Sequence, residues 1–178
     1  GDEVITCPNT FVATVGAIVA VGARPVFVDA GPDYLLNMGQ VAKAVNKRTK
    51  AILPVDLTGR PVVHGWREVA AMGPPYIVRD ACQSIGATYN GVSSGRFADI
   101  AAYSLHPLKN VHACGDGGMI VTDSDDWAAW MRLYRNHGLA DRDTVAIPGI
   151  NSRLDALQAI AGWHLLQNLP DITRRRNL

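Results

Sequence analysis

Six short, unbroken apolar runs separated by helix-length segments limit this chain more than any other feature. The runs are Val4–Cys7, Pro25–Asp29, Lys50–Val55, Tyr76–Val78, Asp99–Tyr103 and Met119–Thr122. Runs this short and continuous suit strands buried on both faces, which is the situation in a parallel sheet. Between the first two, residues 10–21 place Phe11, Val15, Ile18 and Val19 at helical spacing, with Asn9 or Thr10 as N-cap and Gly22 as the stop. A short helix is expected over Val41–Val45. Another is expected with Pro61 in its first turn, running to about Met72, before Pro74-Pro75. Strands that alternate with helices give an α/β fold, a mostly parallel sheet sandwiched by helices.

After Asp80 the spacing changes. Gly86 to Gly95 is rich in turn residues and predicts a hairpin. Asp123 or Ser124 can cap a helix through Asn136, with Trp127, Trp130, Met131 and Tyr134 on one side. A last helix is expected over Arg153–Leu169, its apolar face made by Leu154, Leu157, Ile160, Ala161 and Leu165. Residues 1–152 then form one domain, and 153–178 form a helix that leaves it. A 178-residue chain that is 48% hydrophobic can bury one sizeable core.

Charge narrows the function classes. The formal net charge is +1 and charged residues make up 19% of the chain, which favours neither a nucleic acid nor a membrane surface as partner. The basic run Arg174–Arg176 fits a solvated helix end. Three cysteines, Cys7, Cys82 and Cys114, with no C-x-x-C pair, do not make a disulfide framework. There is no apolar stretch long enough to span a bilayer. A cytoplasmic location is expected.

In open α/β sheets, ligands bind beyond the carboxyl ends of the strands. Three polar sets fall there: Asn9–Phe11, Asp80–Gln83 and Ser104–Asn110. The third holds Lys109, followed by Gly115-Asp116-Gly117-Gly118. A lysine in a small-residue, apolar neighbourhood can act as a nucleophilic amine, although a loop lysine is more often a solvated surface group. Asp80 can cap the next turn or hold a ring nitrogen protonated. Ser104 can be an ordinary strand-end hydroxyl or a phosphate ligand. Phe11 can be core or a stacking partner for a flat ring. His106, His112 and Cys114 offer three ligands on one loop, with no fourth at a structural-zinc spacing, so no metal site is expected. The glycines at 115–118 precede a strand and lack the following Lys-Ser/Thr of a Walker loop.

Together these segments resemble the DegT/DnrJ/EryC1/StrS aminotransferases. The resemblance runs through Gly1–Ile5 and Asn9–Thr14, Gly22–Asp29, Arg48–Ile52 and Asp80–Ala87. It continues through Ser104–Asn110, Gly115–Gly118, Arg135–Gly138 and Gly149–Leu154. It implies an aspartate-aminotransferase-like (fold type I) large domain and pyridoxal 5'-phosphate as cofactor. The implied reaction is a ping-pong transfer of an amino group from an amino acid, expected to be L-glutamate, to a nucleotide-linked keto sugar. It implies that Lys109 is the Schiff-base lysine and the proton carrier. Asp80 would pair with the pyridine nitrogen, Gln83 with the ring oxygen and Ser104 with the phosphate, while Phe11 stacks on the ring. Asn151 would reach the cofactor phosphate of a neighbouring subunit, making a homodimer with shared active sites.

Two positions depart from the family pattern. Asp56 stands where His is common, and Leu108 where Thr often precedes the lysine, which bears on contacts around substrate and cofactor. The family's N-terminal phosphate-binding segment would lie before Gly1 and its small C-terminal domain after Leu178, so a chain truncated at both ends is expected. Three other readings stay open: a sugar dehydratase, an aminohydroxybenzoate synthase of the same family, and a non-catalytic regulatory protein or remnant. The dehydratases carry His at the lysine position, which Lys109 argues against.

Overall fold

The computed structural model describes residues 1–65, 69, 71 and 75–177. Six strands form one sheet: β1 (Glu3–Thr6), β2 (Arg24–Phe27), β3 (Thr49–Leu53), β4 (Tyr76–Asp80), β7 (Ile100–Ser104) and β8 (Gly118–Thr122). Their order across the sheet is β2-β1-β3-β4-β7-β8. The first five run parallel, and β8 returns antiparallel to β7. A separate two-stranded hairpin, β5 (Thr88–Tyr89) with β6 (Val92–Ser93), lies between β4 and β7 in the chain. The fold is thus α/β with a mostly parallel sheet, and all six apolar runs became strands of it.

Register explains the core. Ile5 pairs with Ile52, and Ile52 with Ile77. Side chains at paired positions share a face, so the three isoleucines make a buried row across β1, β3 and β4. Val41 of helix α2 (Met38–Ala44) and Val69 cover that row. Burying one such side chain contributes about 1.5–3 kcal/mol. All four residues of β1 are buried, the charged Glu3 as well as Val4–Thr6 of the apolar run, whereas the outermost strands β2 and β8 are largely open. A second cluster forms around Leu105, Val111 and Ala113, where Leu154, Leu165, Leu166 and Leu169 pack.

The helices differ from expectation mainly at their ends. Helix α1 is Val12–Ala20, with Phe11 at the N-cap position and no side-chain cap. Thr10 does not cap because its hydroxyl faces Thr14 Oγ1 at 2.7 Å. Helix α2 begins earlier than expected, capped by Asn37. Helix α3 (Asp125–Tyr134) is capped by Ser124, whose hydroxyl accepts from Trp127 N–H. The expected final helix is two: α4 (Ala156–Gln167) and α5 (Leu169–Arg176). A capping box between Asp155 and Gln158 starts α4. Leu157 and Ile160 of the expected apolar face are exposed. Residues 61–65 are not helical, and most of the helix expected from Pro61 lies outside the described residues. Among the described residues, no helix is long and apolar enough to cross a membrane.

Candidate active site

Three loops meet at the carboxyl edge of the sheet. They follow β1, β4 and β7, and β4 and β7 are neighbours with Asp80 opposite Ala102. This places Asp80 and Ser104 on adjacent strand ends. Asp80 is held from two sides: Oδ2 accepts from Thr14 Oγ1 at 2.7 Å, and Oδ1 accepts from Cys82 N–H at 3.1 Å. A carboxylate has further lone pairs free to accept a proton-bearing group. Thr14, buried in the first turns of α1, was not singled out from sequence. Its i,i+4 spacing from Thr10 was the available signal.

The loop that carries Lys109 is pinned on either side by apolar anchors. Leu105, Val111 and Ala113 are buried, and Leu105 exchanges backbone bonds with Gly117 and Ala113. Lys109 N–H closes a turn onto His106 C=O at 2.9 Å. A Cβ at Gly117 would lie 2.9 Å from Leu154 Cδ1 and 3.3 Å from Ala113 Cβ, so glycine lets Leu154 pack against the loop without shifting. Gln158 of α4 donates to Asp116 C=O at 3.0 Å and ties the loop down from outside. On this frame the half-buried Lys109 points its amine at Gln83, with Nζ 2.8 Å from Oε1. Four lysines occur in the chain: Lys43 in α2, Lys47 between α2 and β3, Lys50 in the first residues of β3, and Lys109. Lys109 alone sits at the carboxyl edge.

Cys82 reports how close these groups are. Its thiol is pushed up to about 12, first by burial and then by the Asp80 carboxylate, while Lys109 opposes the shift. The thiol therefore stays protonated at neutral pH. Ser104 Oγ accepts from His106 N–H at 3.2 Å. Phe11 is 69% exposed beside Thr10, at the mouth of the same edge. Leu108, one of the departures from the family pattern, is exposed.

Two residues stand apart from this group. Asn151 interacts with Arg153 Nε at 3.1 Å and bridges to Asn136. Among the described residues it makes no bond to Asp80, Gln83, Ser104 or Lys109. Asp56, the other departure, does not face the site at all. Its side chain is fully buried and paired with Arg79 at 2.6 Å, with Ser84 Oγ donating to it at 2.7 Å. Burial pushes the Asp56 carboxyl up, and the guanidinium opposes that shift. Arg79 and Ser84 were not legible as partners, because neither is near Asp56 in the chain.

An amine, a carboxylate, an amide and a hydroxyl on neighbouring strand ends suit an aldehyde-bearing aromatic cofactor with a ring nitrogen and a phosphate. The donor set therefore fits pyridoxal phosphate.

Known proteins match along most of the chain. A pleiotropic regulatory protein of Geobacillus stearothermophilus is 44% identical over 163 residues, covering 89% of this chain and 43% of its own length. A UDP-N-acetyl-3-dehydro-alpha-D-glucosamine 3-aminotransferase of Acidithiobacillus ferrooxidans is 42% identical over 162 residues, 90% of this chain and 44% of its own. The crystal structure of DesV from S. venezuelae superposes with a TM-score of 0.90 at 39% identity, covering 96% of this chain and 46% of DesV. The chain thus spans a little under half the length of these relatives. The family profile matches residues 1–178, and the chain belongs to the DegT/DnrJ/EryC1/StrS aminotransferase family.

Proposed function

We propose that this chain carries the cofactor-binding large domain of a pyridoxal-phosphate-dependent aminotransferase. In this reading it moves an amino group from an amino acid, with L-glutamate as the expected donor, to a nucleotide-linked keto sugar. The observation that carries it is the Lys109 amine held 2.8 Å from Gln83 Oε1 at the strand edge where Asp80 ends β4. The family is pyridoxal-phosphate dependent, and the Acidithiobacillus relative acts on a UDP-linked 3-dehydro sugar. Residues 1–152 make the domain, and 153–178 lead towards a smaller one. Cytoplasmic location and homodimerisation, with Asn151 serving the neighbouring subunit's site, belong to the same reading.

Pyridoxal phosphate, when bound, supplies an electron-poor ring that stabilises negative charge at the carbon losing its proton. The chain's own residues do the rest. Lys109 would hold the cofactor at its aldehyde carbon, and its amine would take and return a proton beside it. Asp80, braced by Thr14 and Cys82 N–H, keeps the ring nitrogen protonated. Gln83 orients the ring oxygen side, Ser104 holds phosphate and Phe11 covers a ring face. Each half reaction uses the same amine in the same place, which suits a ping-pong order.

The test is a coupled assay of the loaded protein with L-glutamate and a panel of nucleotide-linked 3-keto and 4-keto sugars. Formation of an amino sugar with release of 2-oxoglutarate supports the reading. No product from any acceptor, with no exchange of label between glutamate and 2-oxoglutarate, contradicts it. The name of the Geobacillus relative favours a second reading, a non-catalytic regulatory protein on this fold. That reading predicts that Lys109→Ala leaves the protein's cellular effect intact.

A further inference from the structure

We propose that Ser84, acting with the buried Asp56–Arg79 ion pair, is a positioning residue that sets Gln83 and, through it, the Lys109 amine. The inference rests on the role of Lys109 proposed above. Asp56 and Arg79 side chains are both fully shielded from solvent. The guanidinium ties three segments together: Nη1 donates to Asp56 Oδ1 at 2.6 Å, and Nη2 to the carbonyls of Val62 at 2.6 Å and Phe97 at 3.1 Å. Both oxygens of Asp56 are engaged. Oδ1 also accepts from Val62 N–H at 3.1 Å, and Oδ2 accepts from Ser84 Oγ at 2.7 Å.

A buried ion pair is a weak source of net stability, because desolvation offsets the attraction. Its fixed geometry has a use here. Ser84 N–H closes a turn onto Ala81 C=O at 3.0 Å, and Gln83 lies inside that turn with its side chain open to Lys109. On its other side the turn meets Gly59, which has φ +82°; a Cβ there would sit 3.2 Å from Gln83 C=O. Gly59 N–H in turn bonds Asp56 C=O at 2.9 Å. The backbone of Gln83 is thus held between Gly59 and the Ser84–Asp56 bond, and both lead back to Asp56. Successive side chains of a strand point to opposite faces. The pair can therefore brace the turn after Asp80 from the far face of β4, without touching the site.

The test uses the full-length protein loaded with pyridoxal phosphate, with wild type and Ser84→Ala compared. The variant leaves the ion pair in place and removes the hydroxyl's 2.7 Å bond to Asp56, along with its longer 3.4 Å contacts to Ala81 C=O and Ser94 Oγ. Expected are a shift of about half a pH unit in the midpoint of the bound cofactor's visible absorbance, and a roughly fivefold rise in the cofactor dissociation constant. A merely structural serine lowers the melting temperature and leaves the pH midpoint where it is; that result overturns the inference. Should Ser84→Ala not fold, the double variant Asp56→Leu/Arg79→Met removes both charges and the acceptor for Ser84 together, and is measured in the same way. A shifted midpoint supports positioning, and a wild-type midpoint overturns it. A wild-type protein with no titrating visible band overturns the functional reading and the inference together, and is told apart from the other outcomes by failing before any substitution is made.

Discussion

Thr14 and Asp80, 66 residues apart, are joined by a 2.7 Å hydrogen bond from the threonine hydroxyl to Oδ2 of the carboxylate. The bond fixes the direction of a short chain. Since the carboxylate can only accept, Thr14 spends its one proton there, and Thr10, 2.7 Å away, donates to Thr14. The first turns of α1 are thereby locked to the end of β4, and the carboxylate meets the site in one orientation.

Thr14→Val keeps the shape of the side chain and removes that donor. The expected cost is about 1–2 kcal/mol, seen as a melting temperature lowered by about 2–8 °C. Thr14→Ser retains the bond and stays closer to wild type. A thermal melt of the three proteins checks this. A valine variant as stable as wild type would show that the bond contributes nothing.

The ion pair beneath the site makes a prediction of opposite character for single and double changes. Asp56→Asn or Arg79→Met alone leaves a buried charge without its partner and is expected to cost about 3–5 kcal/mol. Changing both together recovers most of that loss, because no lone charge remains. Urea denaturation of the four proteins gives the coupling directly. Additive losses would mean that the two groups do not act as a pair.

Glu3 gives the fold an acid sensitivity unrelated to the site. Its side chain is almost fully shielded, and hydrogen bonds from Asn46, Arg24 and Arg48 hold its carboxyl at about 2, against an ordinary value of 4.5. A folded-state value below the unfolded one means that the contribution is complete above about pH 4.5 and is lost as pH falls towards 2. Glu3→Gln should therefore be less stable than wild type at pH 6, with the gap closing between pH 4.5 and 2. Urea midpoints measured across that range decide it; a constant gap would show that the glutamate is not titrating as described.

What could be read from the sequence follows from what is local. Short apolar runs specified the strands, and Asp80, Gln83, Ser104 and Lys109 fell at one sheet edge because strand ends are marked by polar punctuation. Contacts between distant segments left no such mark. Asp56 and Arg79 are 23 residues apart, and nothing in either neighbourhood announces a buried pair. Helical periodicity in α4 gave a stripe but not its cover. The helix packs on Leu105 and Val111 through Leu165 and Leu166, near its C-terminal end, leaving Leu157 and Ile160 exposed. The N-cap of α1 fell to Phe11 because Thr10 bonds to Thr14.

The account turns on Lys109. Incubating the protein with pyridoxal phosphate, reducing with borohydride and mapping peptides by mass tests it most directly. The prediction is one pyridoxyl adduct, on the peptide containing Lys109, and its loss together with the visible absorbance in Lys109→Ala. Adduct confined to Lys43, Lys47 or Lys50, or no adduct at all, would contradict the account.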